Sequence, residues 1–151
     1  MALSAALFTG ASGFAVATPA PAHSMPLFTL TAMPAGWQSR TDLHPALQIQ
    51  TGGEAIKYAD DGSQINGTIP ADVLGAATTE VRNLAAADMG VPEQNDKGMS
   101  IIDFMPSPPD QDVHLVVYGP EVTDKLTDDQ KASRKRFDDL FQRLLNAFTP
   151  A

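Results

Sequence analysis

At 151 residues, with 43% hydrophobic and 19% charged side chains, the chain has room for one globular core and little more. It contains no cysteine, which excludes disulfides, thiolate catalysis, iron–sulfur clusters, cysteine-type zinc sites and the lipidated cysteine of a bacterial lipoprotein. The net charge of −8 is concentrated in residues 41–124, where fourteen acidic side chains stand against Lys57, Arg82 and Lys97; such a body repels nucleic acid and anionic lipid, whose phosphates are bound through clustered Lys and Arg.

Met1 to Ala17 is an apolar run interrupted by Gly10 and Gly13, too short and too glycine-rich to span a bilayer stably. Thr18-Pro19-Ala20-Pro21-Ala22-His23 follows, in which Ala20-Pro21-Ala22 is an A-x-A cleavage triplet. Residues 1–22 are therefore expected to be a removable signal peptide, cut after Ala22 or, as second choice, after Ala17. No stable membrane insertion is expected after cleavage. The first charged residue is Arg40, so the positive n-region of the signal-peptide pattern is missing, which a start upstream of Met1 would account for.

Residues 23–45 carry Pro26, Pro34 and Pro45 and read as an irregular segment, with Leu27 to Leu30 as a short strand at a sheet edge. Trp37, in this turn-rich stretch, is expected to act as a lid over one end of the core. From 46 to 149 the pattern is that of a single α+β domain. Alternation in Leu47-Gln48-Ile49-Gln50, then Gly52-Gly53, Ala55 to Tyr58 and Asp61-Gly62, predicts a meander of strands at about 46–50, 55–59 and 63–67.

Ile69, Val73, Ala77, Val81 and Leu84 fall on one helical face, predicting a helix over about 70–88 with Pro70 in its first turn and Gly90 as its stop. Met99 to Phe104 and Val113 to Tyr118 read as two strands, apolar on both faces as central strands are, joined as an antiparallel hairpin. Thr127-Asp128-Asp129-Gln130 is a capping box that opens a helix over about 128–148, whose stripe is Phe137, Leu140, Phe141, Leu144, Leu145 and Phe148. Each phenylalanine contributes on the order of 2 kcal/mol when fully buried, so this helix is the expected clamp on the sheet. Its charged residues Lys131, Arg134, Lys135 and Arg136 alternate with aspartates and read as a solvated face. The expected architecture is a mostly antiparallel sheet of about five strands with two helices covering one face.

Chemistry is sparsely signalled. His23 sits at the cleavage point and His44 precedes Pro45, neither with a metal-type neighbour. In the hairpin of residues 99–118, His114 lies across from either Asp103 or Phe104, according to register. An Asp103–His114 dyad could orient a general base, though no G-x-S-x-G elbow supplies a nucleophile; mutual satisfaction or projection to solvent is the plainer reading. Asp60 and Asp61, and likewise Asp110 and Asp112, are candidate calcium donors, but neither run has the alternate carboxylates and closing glutamate of an EF-hand loop, and a hairpin turn explains Asp61-Gly62. Asn66-Gly67-Thr68 is a glycosylation sequon that has meaning only in a eukaryotic host. No dinucleotide, P-loop or zincin motif occurs, and no cofactor is indicated.

The Asp61-Gly62 turn, the Ile69-Pro70 helix start, Ala86-Ala87-Asp88-Met89-Gly90-Val91-Pro92, Asp96, the strand end Ile102-Asp103-Phe104, and Val116-Val117-Tyr118 together carry a likeness. Over about residues 46–148 the chain resembles small exported proteins of uncharacterised function from actinobacteria. That resemblance implies export from a Gram-positive, high-GC organism and assigns no activity. The reading that follows is a secreted, non-enzymatic binding or interaction module of the cell envelope or extracellular space, with an extracellular or cell-wall protein as partner. The acidic, proline-bearing loops 91–98 and 106–112 suit a basic protein partner. The alternatives are an envelope-associated structural protein and a hydrolase using Asp103 and His114.

Overall fold

Helix α2 (Asp128–Ala147) begins as its sequence dictates: the Thr127 hydroxyl accepts from the Gln130 backbone N–H, and the Gln130 side chain accepts from the Thr127 N–H. These elements come from a computed structural model that describes residues 25–151; the expected signal peptide, residues 1–22, and His23 lie outside the described residues. The strands are β1 (Phe28–Met33), β2 (Leu47–Ile49), β3 (Glu54–Tyr58), β4 (Gln64–Thr68), β5 (Met99–Phe104), β6 (Val113–Tyr118) and β7 (Thr149–Pro150), with α1 (Ala71–Leu84) between β4 and β5. They form a 7-stranded, antiparallel sheet in the order β6-β5-β1-β2-β3-β4-β7.

The fold is thus α+β with two helices, and its sheet has seven strands rather than about five. The largest correction concerns β1. It is a central strand, paired along Phe28↔Phe104 and Leu30↔Ile102 on one side and Phe28↔Ile49 and Leu30↔Leu47 on the other. Pro26 and Pro34 flank the strand without removing a ladder hydrogen bond, so they do not confine it to an edge. The folded unit therefore includes residues of the segment expected to be irregular and does not start at 46. The second addition, β7, follows α2 directly and pairs with β4. Its close approach explains Gly67, where a Cβ would collide with the Thr149 carbonyl and the Phe148 ring.

Period-two burial sorts the sheet into two faces. Phe28, Leu30, Leu47, Ile49, Ile102, Phe104, Leu115 and Val117 are buried together with Ala77, Val81 and Leu84 of α1 and Phe137, Leu140, Phe141 and Leu144 of α2 in one cluster. The intervening residues, among them Thr29, Gln48, Ile101, Asp103, His114 and Val116, are half-buried or exposed. Both helices consequently share one face, and among the described residues no helix lies over the other.

Smaller differences have local causes. Helix α1 stops at Leu84, because Ala85 and Ala87 donate to Arg82 and Leu84, the tight three-residue pattern that unwinds a helix end. Strand β6 is an edge strand, not a central one. Trp37 lies in a short 3₁₀ turn, half-buried and outside the core cluster, so it is no lid. Phe148 is only half-buried, at the extended C-cap of α2.

Phe137→Ala should lower the unfolding free energy by about 3–5 kcal/mol, whereas Phe148→Ala should cost about 1–2 kcal/mol, in line with their unequal burial. Urea denaturation followed by far-UV circular dichroism measures both. A chain truncated before Phe137 should show no cooperative transition.

Candidate functional site

The β5–β6 register sets Asp103 directly opposite His114, on the face away from the helices. His114 Nδ1 contacts Asp103 Oδ1, so the dyad expected from one of the two registers is formed. It is open to water, with the side chains 63% and 32% exposed respectively. Beyond Asp103 the same row continues to Thr29 on β1 and Gln48 on β2. Gln48 accepts from the Tyr58 hydroxyl at 2.9 Å, and Tyr58 stacks on His44 at 5.6 Å.

This order matters chemically. A hydroxyl nucleophile must touch the imidazole, with the carboxylate on the imidazole's far side. Here the carboxylate lies between, and Thr29 is two strand spacings from His114, roughly 9.6 Å. The row is a polar cross-strand ladder and not a Thr–His–Asp triad.

The other candidates take up separate places. Asp61 accepts the Ser63 N–H at 2.9 Å in the β3–β4 turn, where Gly62 has φ +80. Hydrogen bonding from Ser63 lowers the Asp61 pKa, and Asp60 is exposed beside it. Asp110 pairs with Arg82 at 2.6 Å, while Asp112 is exposed just before β6. Among the described residues no group of three or more such donors is placed to hold a metal ion.

What the sequence did not reveal is a groove along the outer edge of β6. The Gly119 N–H donates to Gly98 across the hairpin, which turns the backbone of Val113, Leu115 and Val117 toward β5 and that of His114, Val116 and Tyr118 outward. The outward groups border a groove of about 520 Å³ whose opposite wall is Ala87 to Val91, with Gln130 at its side. Val91 and Tyr118 are large apolar residues left 59% and 38% exposed there.

Arg134 holds the two walls together. It is 6% exposed, and its guanidinium donates to the carbonyls of Met89 at 3.3 Å, Tyr118 at 2.8 Å, Gly119 at 2.6 Å and Val122 at 3.3 Å. Burial lowers its pKa from the ordinary arginine value. A solvated position was expected from the surrounding charges, and Lys131, Lys135 and Arg136 do pair with Asp128, Asp139 and Glu80 at the surface. Arg134, however, precedes Phe137 by three residues and Phe141 by seven, a spacing that puts it on the apolar stripe.

The groove wall is also tied to the start of α2. The Asp88 carboxylate accepts from Gln130 Nε2 and from the Gly90 N–H, each at 2.8 Å, and these bonds, Gln130's foremost, lower its pKa. A smaller hollow of about 240 Å³, floored by Val117 and Phe137, lies on the other side of Arg134. Its rim lysines, Lys131 and Lys135, are the ion-paired ones already described.

Arg134→Met should destabilise the protein by about 3 kcal/mol, because the apolar stem is kept while charge-assisted hydrogen bonds to buried carbonyls are lost; urea midpoints measure it. Since the folded pKa of Asp88 lies below its unfolded value, its contribution is complete above the ordinary aspartate range and is lost as pH falls through the depressed value. Asp88→Asn should therefore flatten the acid limb of a stability–pH profile and leave its slope near neutrality unchanged. No protein-family model, no curated protein and no solved structure matches the chain.

Proposed function

We propose that this chain is a secreted, non-enzymatic interaction module of the cell envelope or extracellular space of an actinobacterium, and that it engages another protein through the β6 side of its sheet. The observation that carries the reading is the pairing of an uncovered sheet face with an edge groove, where Val91 and Tyr118 remain exposed. Rigid strands present this surface, and the acidic loops at either end of β6 favour a basic partner.

The addressing half of the proposal rests on sequence. An apolar run followed by an A-x-A triplet is what a signal peptidase reads, and a cysteine-free body folds without regard to redox compartment. Among the described residues no helix is long and apolar enough to cross a membrane.

A hydrolase using Asp103 and His114 is the competing reading, favoured by the contact between the two side chains. The carboxylate's position between the imidazole and the nearest row hydroxyl argues for a recognition row instead.

Intact-mass and N-terminal peptide mass spectrometry of culture supernatant and cell extract from the source organism tests the proposal. The expected result is a supernatant species that begins near His23. A cytoplasmic species retaining Met1 would overturn it.

A further inference from the structure

The two edges of the sheet are built on opposite principles. The β7 edge is two residues long and ends in Pro150, a blunt edge of the kind that discourages another strand from pairing. The β6 edge is six residues long, reads Val-His-Leu-Val-Val-Tyr, and contains neither proline nor a Lys, Arg, Asp or Glu. Its composition is that of a strand flanked on both sides, yet among the described residues it has a neighbour on one side only.

The exposed side is chemically ready. The N–H and C=O groups of His114 and Val116, and the N–H of Tyr118, point outward and make no hydrogen bond among the described residues, while the Tyr118 carbonyl is held by Arg134. The groove before them runs beside His114 to Tyr118, roughly 14 Å of strand, with Ala87 to Val91 along its far wall.

We infer that the outer edge of β6 takes an extended, basic segment of another protein as an additional strand. This deepens the interaction-module reading and rests on it. Charge selects the occupant. Asp112 precedes the strand, Asp88 lies on the facing wall, and Glu121 and Asp124 follow it. Of the nearby cations, Arg82 is paired with Asp110, Lys125 with Glu93, and Arg134 with carbonyls. A second copy pairing antiparallel about Val116 would bring the Asp112 end of one chain against the Glu121 end of the other, acid upon acid. A segment with alternating basic residues meets the same acids favourably, and its backbone satisfies the open groups.

The test uses the full chain and an alternating Lys-Val heptapeptide as probe, with its Glu-Val counterpart and a version N-methylated on alternate residues. Amide hydrogen exchange should slow at His114, Val116 and Tyr118 when the Lys-Val peptide is added. N-methylation, Glu-for-Lys replacement and Val116→Pro should each weaken binding about tenfold or more, since each removes backbone pairing or charge attraction. Val116→Pro takes away an outward N–H and no bond to β5, and the N-methylated peptide carries the same test on the unaltered protein. Equal affinity for the N-methylated peptide, no binding of the Lys-Val peptide, or protection that maps to the helix-free face would overturn strand addition. So would a doubling of mass with protected β6 amides in the absence of peptide. Cross-linking mass spectrometry on the secreted fraction separates the two levels: a protein partner cross-linked on the β6 side of the sheet but away from the strand's outer edge leaves the module standing and removes the strand-addition inference.

Discussion

A single buried guanidinium joins the parts of this molecule that its hydrogen-bonded sheet does not. Arg134 enters the interior from α2 without an ion pair among the described residues, and four carbonyls from two stretches of chain, Met89 and residues 118–122, take the place of a carboxylate. Carbonyl dipoles compensate a buried cation only if several converge, and that convergence fixes where Met89, the end of β6 and the turn after it must lie. The width of the β6 groove follows from this constraint. Helix α2 is thus both the main apolar clamp on the sheet, through Phe137, Leu140, Phe141 and Leu144, and the post to which both walls of the groove are fastened.

Placing both helices on one face leaves the sheet with a dry side and a wet side, and the wet side is where the polar side chains gather. Across it run His114, Asp103, Thr29 and Gln48, one from each of four neighbouring strands, with Tyr58 and His44 extending the polar contacts. A ladder of this kind displays donors and acceptors on a rigid spacing. It lacks the order of a hydroxyl–imidazole–carboxylate triad, because the imidazole is separated from the row's hydroxyl by the carboxylate that would have to stand behind it.

The contrast between the edges gives the sheet a direction. At β7 the chain closes the sheet with two residues and a proline, after a helix whose last aromatic, Phe148, covers Gly67. At β6 a strand of six residues is uncovered among the described residues, beside a wall that the capping residues of α2 hold in place through Asp88 and Gln130. Edge strands without gatekeepers are hazards unless something covers them, and like charge around such an edge disfavours pairing between copies.

Local chemistry made much of the architecture readable before any coordinates. The capping box at Thr127, the Asp61-Gly62 hairpin and the alternation in β2 to β4 are settled by residues within a few positions of one another, so the strands and helices they mark stand where the sequence places them. The apolar spacing of Val113 to Tyr118 likewise identified a strand. Tertiary structure decided what depends on residues far apart in the chain. Strand β1 is central because β5, some seventy residues later, pairs with it, and β6 is an edge because no later strand returns to its outer side. Which register joins His114 to Asp103, which of four clustered basic residues turns inward, and where a groove opens between β6 and Met89 are likewise outcomes of long-range packing. Periodicity reports which face of an element is apolar; only the assembled sheet reports what lies against it.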